Sequence, residues 1–433
     1  MTETNDKSAA TLLIGPIKEI LTPICNDNKP IRGQAMDTIK HIKNGGIAVN
    51  NDKIIAIGAY DDVKTQITTN ANTQYIDASD NIAIPGFIDP HTHLVFAGNR
   101  ASEFVERTLG KTYQQIAQAG GGILHTVKHT KEASLDKIVK LGLTRLKLML
   151  EHGTTTCEVK TGYGLDLDCE IKLLEAILTL NKMQPIDLIP TFMPAHAIPQ
   201  NKSEDEYTDE INNTMLEPAY KLIKEKYENN KPYFVDVFCD KGYFGKFNTI
   251  KILKKYKERG FQGKVHANEF ENLSLVKEAI DNGAISCDHM LNTNNADIEA
   301  LKHSNTICVL LPGTSFFLNL DSHANAKLMV DNSVAIALGS DYNPGSSHIF
   351  SIPFIFGLAC LKLKMTPAQA LTATTYNAAC AISAQSYTGQ IDTGYKADIN
   401  ILNVECIDEI PYNLTINPIK QVIKNGKLVY TKK

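Results

Sequence analysis

Basic runs, long apolar runs and paired cysteines are all missing from this chain of 433 residues. Lys and Arg total 44 against 48 Asp and Glu, a formal net charge of -4, and no basic cluster is long enough to follow a phosphate backbone. That excludes nucleic acid as the partner. No apolar stretch approaches the roughly 18 residues that a membrane helix needs. The opening MTETNDKSAATLLIGPIKEI has no basic start followed by a sustained apolar block, so neither a secretory leader nor a membrane anchor is expected, and a cytoplasmic location is the expectation. The nine cysteines are odd in number and include no Cys-x-x-Cys pair, which excludes a disulfide framework. Cys157, Cys287 and Cys308 fall inside strand-like runs, where a free thiol packs as a small hydrophobe, and no cysteine is flanked by an evident activating base.

What is present is an ordinary globular balance, 43% hydrophobic and 21% charged. The length exceeds one average domain and fits a barrel of about 250 residues or more with an appended module. Short strand-like pieces occupy 11–14, 46–50, 53–57 and 74–77, with turn signals between them. The C-terminus repeats the style at 394–402, 419–424 and 427–430, the last two joined as a hairpin through Asn425-Gly426. Between these ends lie eight short apolar runs at 86–88, 154–159, 188–193, 234–238, 263–266, 284–288, 306–311 and 334–339. Helical periodicity appears among them at 135–151, 168–180 and 215–227. Strand followed by helix, eight times, predicts an α/β fold with a closed parallel (β/α)8 TIM-like barrel. The β-rich ends predict one small β-sandwich built from both termini, with residues 1–84 and 386–433 flanking a barrel at 85–385.

In such barrels the chemistry gathers where strands end. The first run sits in 84–100, IPGFIDPHTHLVFAGNR, where a strand over 84–88 leads to His91 and His93. Residues two apart in an extended segment share a face, so two imidazoles stand side by side, half of a metal site. The plainer alternative is two polar loop histidines that happen to be neighbours. Later run ends carry Glu158-Val159-Lys160-Thr161-Gly162-Tyr163-Gly164, Pro194-Ala195-His196, His266-Ala267-Asn268-Glu269, Asp288-His289 and the segment from Ser340 to Ser347.

Pro85-Gly86-Phe87-Ile88-Asp89-Pro90-His91-Thr92-His93 resembles the opening strand of the amidohydrolase superfamily, metal-dependent hydrolases built on a (β/α)8 barrel. The continuation LVFAGNRASEF and the Lys160 to Gly164 segment resemble the imidazolonepropionase family within it, which acts in histidine degradation. The resemblance covers roughly residues 85–347. It implies His91, His93, His266 and Asp341 as ligands of one zinc(II) or iron(III) ion per subunit, a choice that three nitrogens and a carboxylate leave open. A core histidine at 266 and a turn aspartate at 341 are the bland alternatives. The ion would lower the pKa of a water and polarise a carbonyl, with Asp341, His289 or Glu269 as the general base. Arg100 offers a bidentate fork for a carboxylate, the handle of a propionate side chain, and a surface salt bridge is its plainer role. Tyr163, His196, Glu269, Asn343, Gly345 and Ser346 are implied substrate contacts, with Ser346 standing where a threonine is familiar. The implied reaction is hydrolysis of the cyclic amide of 4-imidazolone-5-propanoate to N-formimidoyl-L-glutamate, by a homodimer whose partner is a small molecule. Lys241, after the fourth run, leaves room for a second metal. A nucleobase deaminase or a barrel that has lost its chemistry are the competing readings.

Overall fold

The structure, a computed structural model, describes residues 8–25, 27–112, 115–116 and 120–433. The first seven residues of the opening stretch read above lie outside it. All eight apolar runs form parallel strands, each hydrogen-bonded to the next: Phe87–Asp89, Thr154–Lys160, Asp187–Ala195, Phe234–Cys239, Gln262–Ala267, Ala284–His289, Ile307–Leu310 and Ile336–Leu338. The eighth and first strands meet just beyond their ends. Thr92 and Tyr342 form a parallel bridge. The Asp341 N–H donates to the His91 carbonyl at 3.0 Å and the His93 N–H to the Tyr342 carbonyl at 2.9 Å. Below them the Asp89 carboxylate accepts from the Ser340 N–H and hydroxyl. The segments that carry the candidate ligands are therefore the ones that close the barrel.

Period-two alternation along these strands separates two environments. Cys157, Val159, Val235, Val237, Val265 and Cys287 join the continuous apolar core. Their neighbours on the same strands are polar and fully buried: Glu158, Lys160, Asp236, Lys264, His266, Ser286 and Asp288. Asp236 pairs in register with Lys264, which pairs with Ser286, and His266 pairs with Asp288.

The expected helix at 135–151 is found as Leu135–Glu151, its first turn capped by Ser134. That at 168–180 lies within Leu167–Met183, capped by Asp166. The third begins earlier than its periodicity indicated, because Glu204–Glu210 runs through one π-turn, Ile211–Met215, into Leu216–Lys226.

Both termini build one seven-stranded sheet in the order Lys427–Thr431, Ile419–Lys424, Ile399–Leu402, Gln74–Pro85, Leu12–Pro23, Ile39–Asn50, Lys53–Ala59. Ile399 lies opposite Pro85 and Leu402 opposite Ile82, so the C-terminal strands extend an N-terminal one. Leu12 and Ile14 enter one apolar cluster and Leu13 the other, as a two-sided sheet requires. Asn425 and Gly426 turn the last hairpin with φ of 48° and 71°, the left-handed pair that a tight hairpin demands. Two strand readings are corrected. The C-terminal strand begins at Ile399 rather than 394, since Lys396 to Asp398 bend to meet Asp52 and the Asn425-Gly426 turn. The strand expected over 84–88 is two strands: Ile84 and Pro85 finish the terminal sheet, and the barrel starts at Phe87. At the break, a Cβ on Gly86 would lie 2.3 Å from the Thr155 hydroxyl, so only glycine lets the chain cross between sheets there.

Candidate active site

His91, His93, His266, His289 and Asp341 are all buried and converge at the C-terminal mouth of the barrel. His266 Nε2 lies 3.3 Å from His93 Nε2. Asp341 Oδ1 lies 3.5 Å from His91 Nε2 and 3.7 Å from His93 Nε2. The donor atoms of His91, His93 and Asp341 all fall within 4.8 Å of one another, and so do those of His91, His266 and His289. His91 Nε2 and both ring nitrogens of His289 have no hydrogen-bond partner. Buried polar nitrogens are almost always satisfied, so several lone pairs aimed at one point mark the place of a cation. The ring orientations are fixed from behind: His91 Nδ1 contacts Asp288 Oδ2 at 2.6 Å, and His266 Nδ1 contacts Asp236 Oδ1 at 3.1 Å. A proton held at Nδ1 leaves the Nε2 lone pair facing inward.

Electrostatics agree with that use. Burial, reinforced by neighbouring cationic groups, pushes His91, His93 and His289 well below the ordinary imidazole value and His196 down to about 3, so these rings are neutral. Burial raises the Asp341 carboxyl to about 6, although Thr314 donates to it at 2.6 Å. Burial also lifts Glu269 well above the carboxylate range, with Asp341 and Asp240 adding repulsion. His289, Asp341 and Asn268 adopt left-handed φ of 78°, 50° and 56°, strained values for residues other than glycine.

A pocket opens above the cluster, lined by His93, Arg100, Tyr163, His196, His266, Glu269, His289, Asp341, Asn343 and Ser346. His91 lies beneath it. Gly345 forms the wall behind Arg100, because a Cβ there would stand 1.9 Å from Arg100 Nη1. Arg100 is itself buried, its Nε donating to Glu103 at 2.7 Å. The His93 and His196 rings stack at 4.7 Å, with Tyr163 edge-on to His196. Of the residues singled out in the sequence for the site, all but Lys241 line this pocket or lie directly behind its floor and wall. The Lys241 ammonium sits at the surface, 2.7 Å from Glu271, and the fourth strand presents the Phe238 ring to His266 instead.

Four side chains that the sequence did not single out support the site, two by holding the pocket loops and two by orienting the imidazoles. Glu170 accepts from the N–H groups of Gly162, Gly164 and Leu165 at 2.7–3.0 Å. Asp240 does the same for Lys241, Glu269, Phe270 and Glu271 at 2.7–3.0 Å. Asp288 and Asp236 orient the imidazoles. Their sequence signal was the acidic residue interrupting an apolar strand, Val-Asp-Val at 235–237 and Cys-Asp-His at 287–289. Glu170→Gln leaves one oxygen to serve three amides. It is expected to lower stability by about 1–3 kcal/mol, and unchanged thermal unfolding would show that the 162–165 turn holds without it.

Comparison with known proteins gives a consistent result. The model of the amidohydrolase family matches residues 82–429. An imidazolonepropionase from Alkaliphilus metalliredigens is 40% identical over 423 residues, covering 97% of this chain and 98% of that protein. One from Symbiobacterium thermophilum is 41% identical over 402 residues, covering 92% and 93%. Among solved structures, a zinc-bound adenosine deaminase from Xanthomonas campestris superposes with a TM-score of 0.67 at 14% identity, covering 98% of this chain and 93% of its own. At that identity the likeness concerns the fold alone.

Proposed function

The chain belongs to the amidohydrolase family and, within it, to the imidazolonepropionases, and from this we propose which of its residues carry the reaction. The enzyme hydrolyses the cyclic amide of 4-imidazolone-5-propanoate to N-formimidoyl-L-glutamate, a carbon–nitrogen bond cleavage of histidine catabolism that depends on a divalent metal. His91, His93, His266 and Asp341 hold one ion, zinc or iron in its place. When bound it lowers the pKa of a water and polarises the ring carbonyl.

The chain's own groups do the rest. Arg100, backed by Glu103 and braced against Gly345, takes the propionate carboxylate. Tyr163 and His196 line the ring's side of the pocket, and Asn343 holds Ser346 and the Gly345 N–H in place. Asp341 removes the proton from the attacking water and returns it to the departing ring nitrogen. Glu269, whose carboxyl pKa burial raises, offers a hydrogen bond to the ring, and His289, whose Nε2 lies 3.6 Å from it, steadies the water. The observation that carries this reading is the buried guanidinium on the wall of a pocket floored by three imidazoles. Turnover of 4-imidazolone-5-propanoate, followed as loss of ring absorbance, tests it. Ammonia release from a purine with no ring opening would favour a deaminase.

Two further readings rest on the family membership: a homodimeric state and a cytoplasmic location. Among the described residues no helix is long and apolar enough to cross a membrane. The domain division at 85 and 385 draws its support from the separate terminal sheet.

The ligand assignment fixes a pH dependence. Asp341 must lose its proton before it binds a cation, whereas burial holds His91 and His93 well below the ordinary imidazole value. Zinc affinity of the metal-free protein is expected to be level above about pH 7 and to weaken about tenfold per unit below about 6. Chelator competition at pH 5 and 7.5 measures it, and an affinity that stays level would remove Asp341 from the ligand set.

A further inference from the structure

Lys160 stands in the motif that resembles the family, yet it does not line the pocket. Under the imidazoles, Glu158, Asp236, Asp288, Lys160 and Lys264 are all fully buried. The Lys160 ammonium donates to Glu158 Oε1 at 2.7 Å and to Asp236 Oδ2 at 2.6 Å, and it stands 3.9 Å from Asp288 Oδ2. The other oxygen of Asp236 meets His266 Nδ1, and Asp288 Oδ2 meets His91 Nδ1. Lys264 reaches Asp288 at 3.6 Å but spends its hydrogen bonds on Ser286 and the Ala381 carbonyl. Among the described residues, Lys160 is the ammonium within 4 Å of the carboxylates behind both His266 and His91.

We propose that Lys160 is a positioning residue for the metal centre: one buried ammonium holds Asp236 and Asp288 in the rotamers that aim His266 and His91, which lie on different strands, at a single ion. The inference rests on the ligand assignment above. Without the ammonium, Asp236 loses a hydrogen bond and the two buried carboxylates are left with one counter-charge fewer. Their repulsion moves them off Nδ1, and the imidazoles behind which they stand lose their common focus. Losing such outer partners weakens metal sites by about 10- to 100-fold.

The test is the zinc dissociation constant of the metal-stripped full chain, by competition with a chromogenic chelator. Lys160→Met is expected to weaken zinc binding at least about tenfold. Lys424→Met is the control, since Lys424 is equally buried and bound to two carboxylates, Asp187 and Asp398, but far from the site. It is expected to lower thermal stability while zinc affinity stays within about twofold. Should Lys160→Met not fold, Lys160→Gln, which keeps a donor without the charge, is read in the same way. Zinc affinity unchanged in the Lys160 variant, or weakened equally in the Lys424 variant, overturns the proposal. His266→Ala separates the two readings: if it binds zinc as tightly as the parent, the ligand assignment fails. If it loses zinc while the Lys160 variant keeps it, only the role of Lys160 fails.

Discussion

His266→Ala protein is expected to be purified with less than stoichiometric metal and to turn over substrate at least about 10⁴-fold more slowly than the parent, since polarisation of a carbonyl and activation of a water each contribute several kcal/mol. The geometry explains why one ring has so large an effect. His266 Nε2 is 3.3 Å from His93 Nε2, and its ring lies 4.5 Å from that of His91, so its removal opens one whole side of the cluster. Asp236 and Lys160 remain behind it as a buried ion pair, which keeps the barrel floor satisfied and the fold intact. Metal analysis and kcat/KM measured on the same preparation check both parts. Stoichiometric metal with near-parental turnover would sink the four-ligand site.

The second large effect falls on binding rather than on turnover. Arg100→Ala is expected to raise KM by about 10²-fold or more, the loss of two charge-assisted hydrogen bonds to a carboxylate at about 1.5 kcal/mol or more each, with metal content unchanged. Lysine should recover little, because a single ammonium cannot reproduce the planar fork. Gly345→Ala supplies an independent check. Its Cβ would press within 1.9 Å of Arg100 Nη1 and 2.2 Å of Cζ, so the guanidinium must move. The alanine variant should raise KM in the same direction, by a smaller factor, with kcat little changed. A KM indifferent to both substitutions would take Arg100 out of the substrate site.

The parts of the site that were legible in the sequence share one property: each is local. His91 and His93 announce themselves because two imidazoles two residues apart at a strand end share a face. His196, His266, His289 and Asp341 stand out because each follows an apolar run, and the rule that barrels work at strand ends then nominates them. Glu158, Lys160, Asp236, Lys264 and Asp288 were harder to assign. Inside the runs they look like interruptions, and only the register, with Asp236 beside Lys264 and His266 beside Asp288, shows that they face one another within the barrel. Lys241 marks the opposite failure. It lies near a strand end in sequence, but the chain has already turned outward, and its ammonium ends at the surface on Glu271.

The sequence by itself determined the eight strands, the helices between them, the pairing of β-rich ends and the identities of the reactive side chains, because hydrophobic period and residue chemistry act over a few neighbouring positions. Only the tertiary structure decided how residues 91, 93, 266 and 341 converge at one barrel mouth, that the closing contacts of the barrel run through those same segments, and that a buried lysine links the carboxylates behind two of the rings. Such convergence depends on strand register and closure, which are set by packing across the whole barrel and leave no mark on any short stretch of chain.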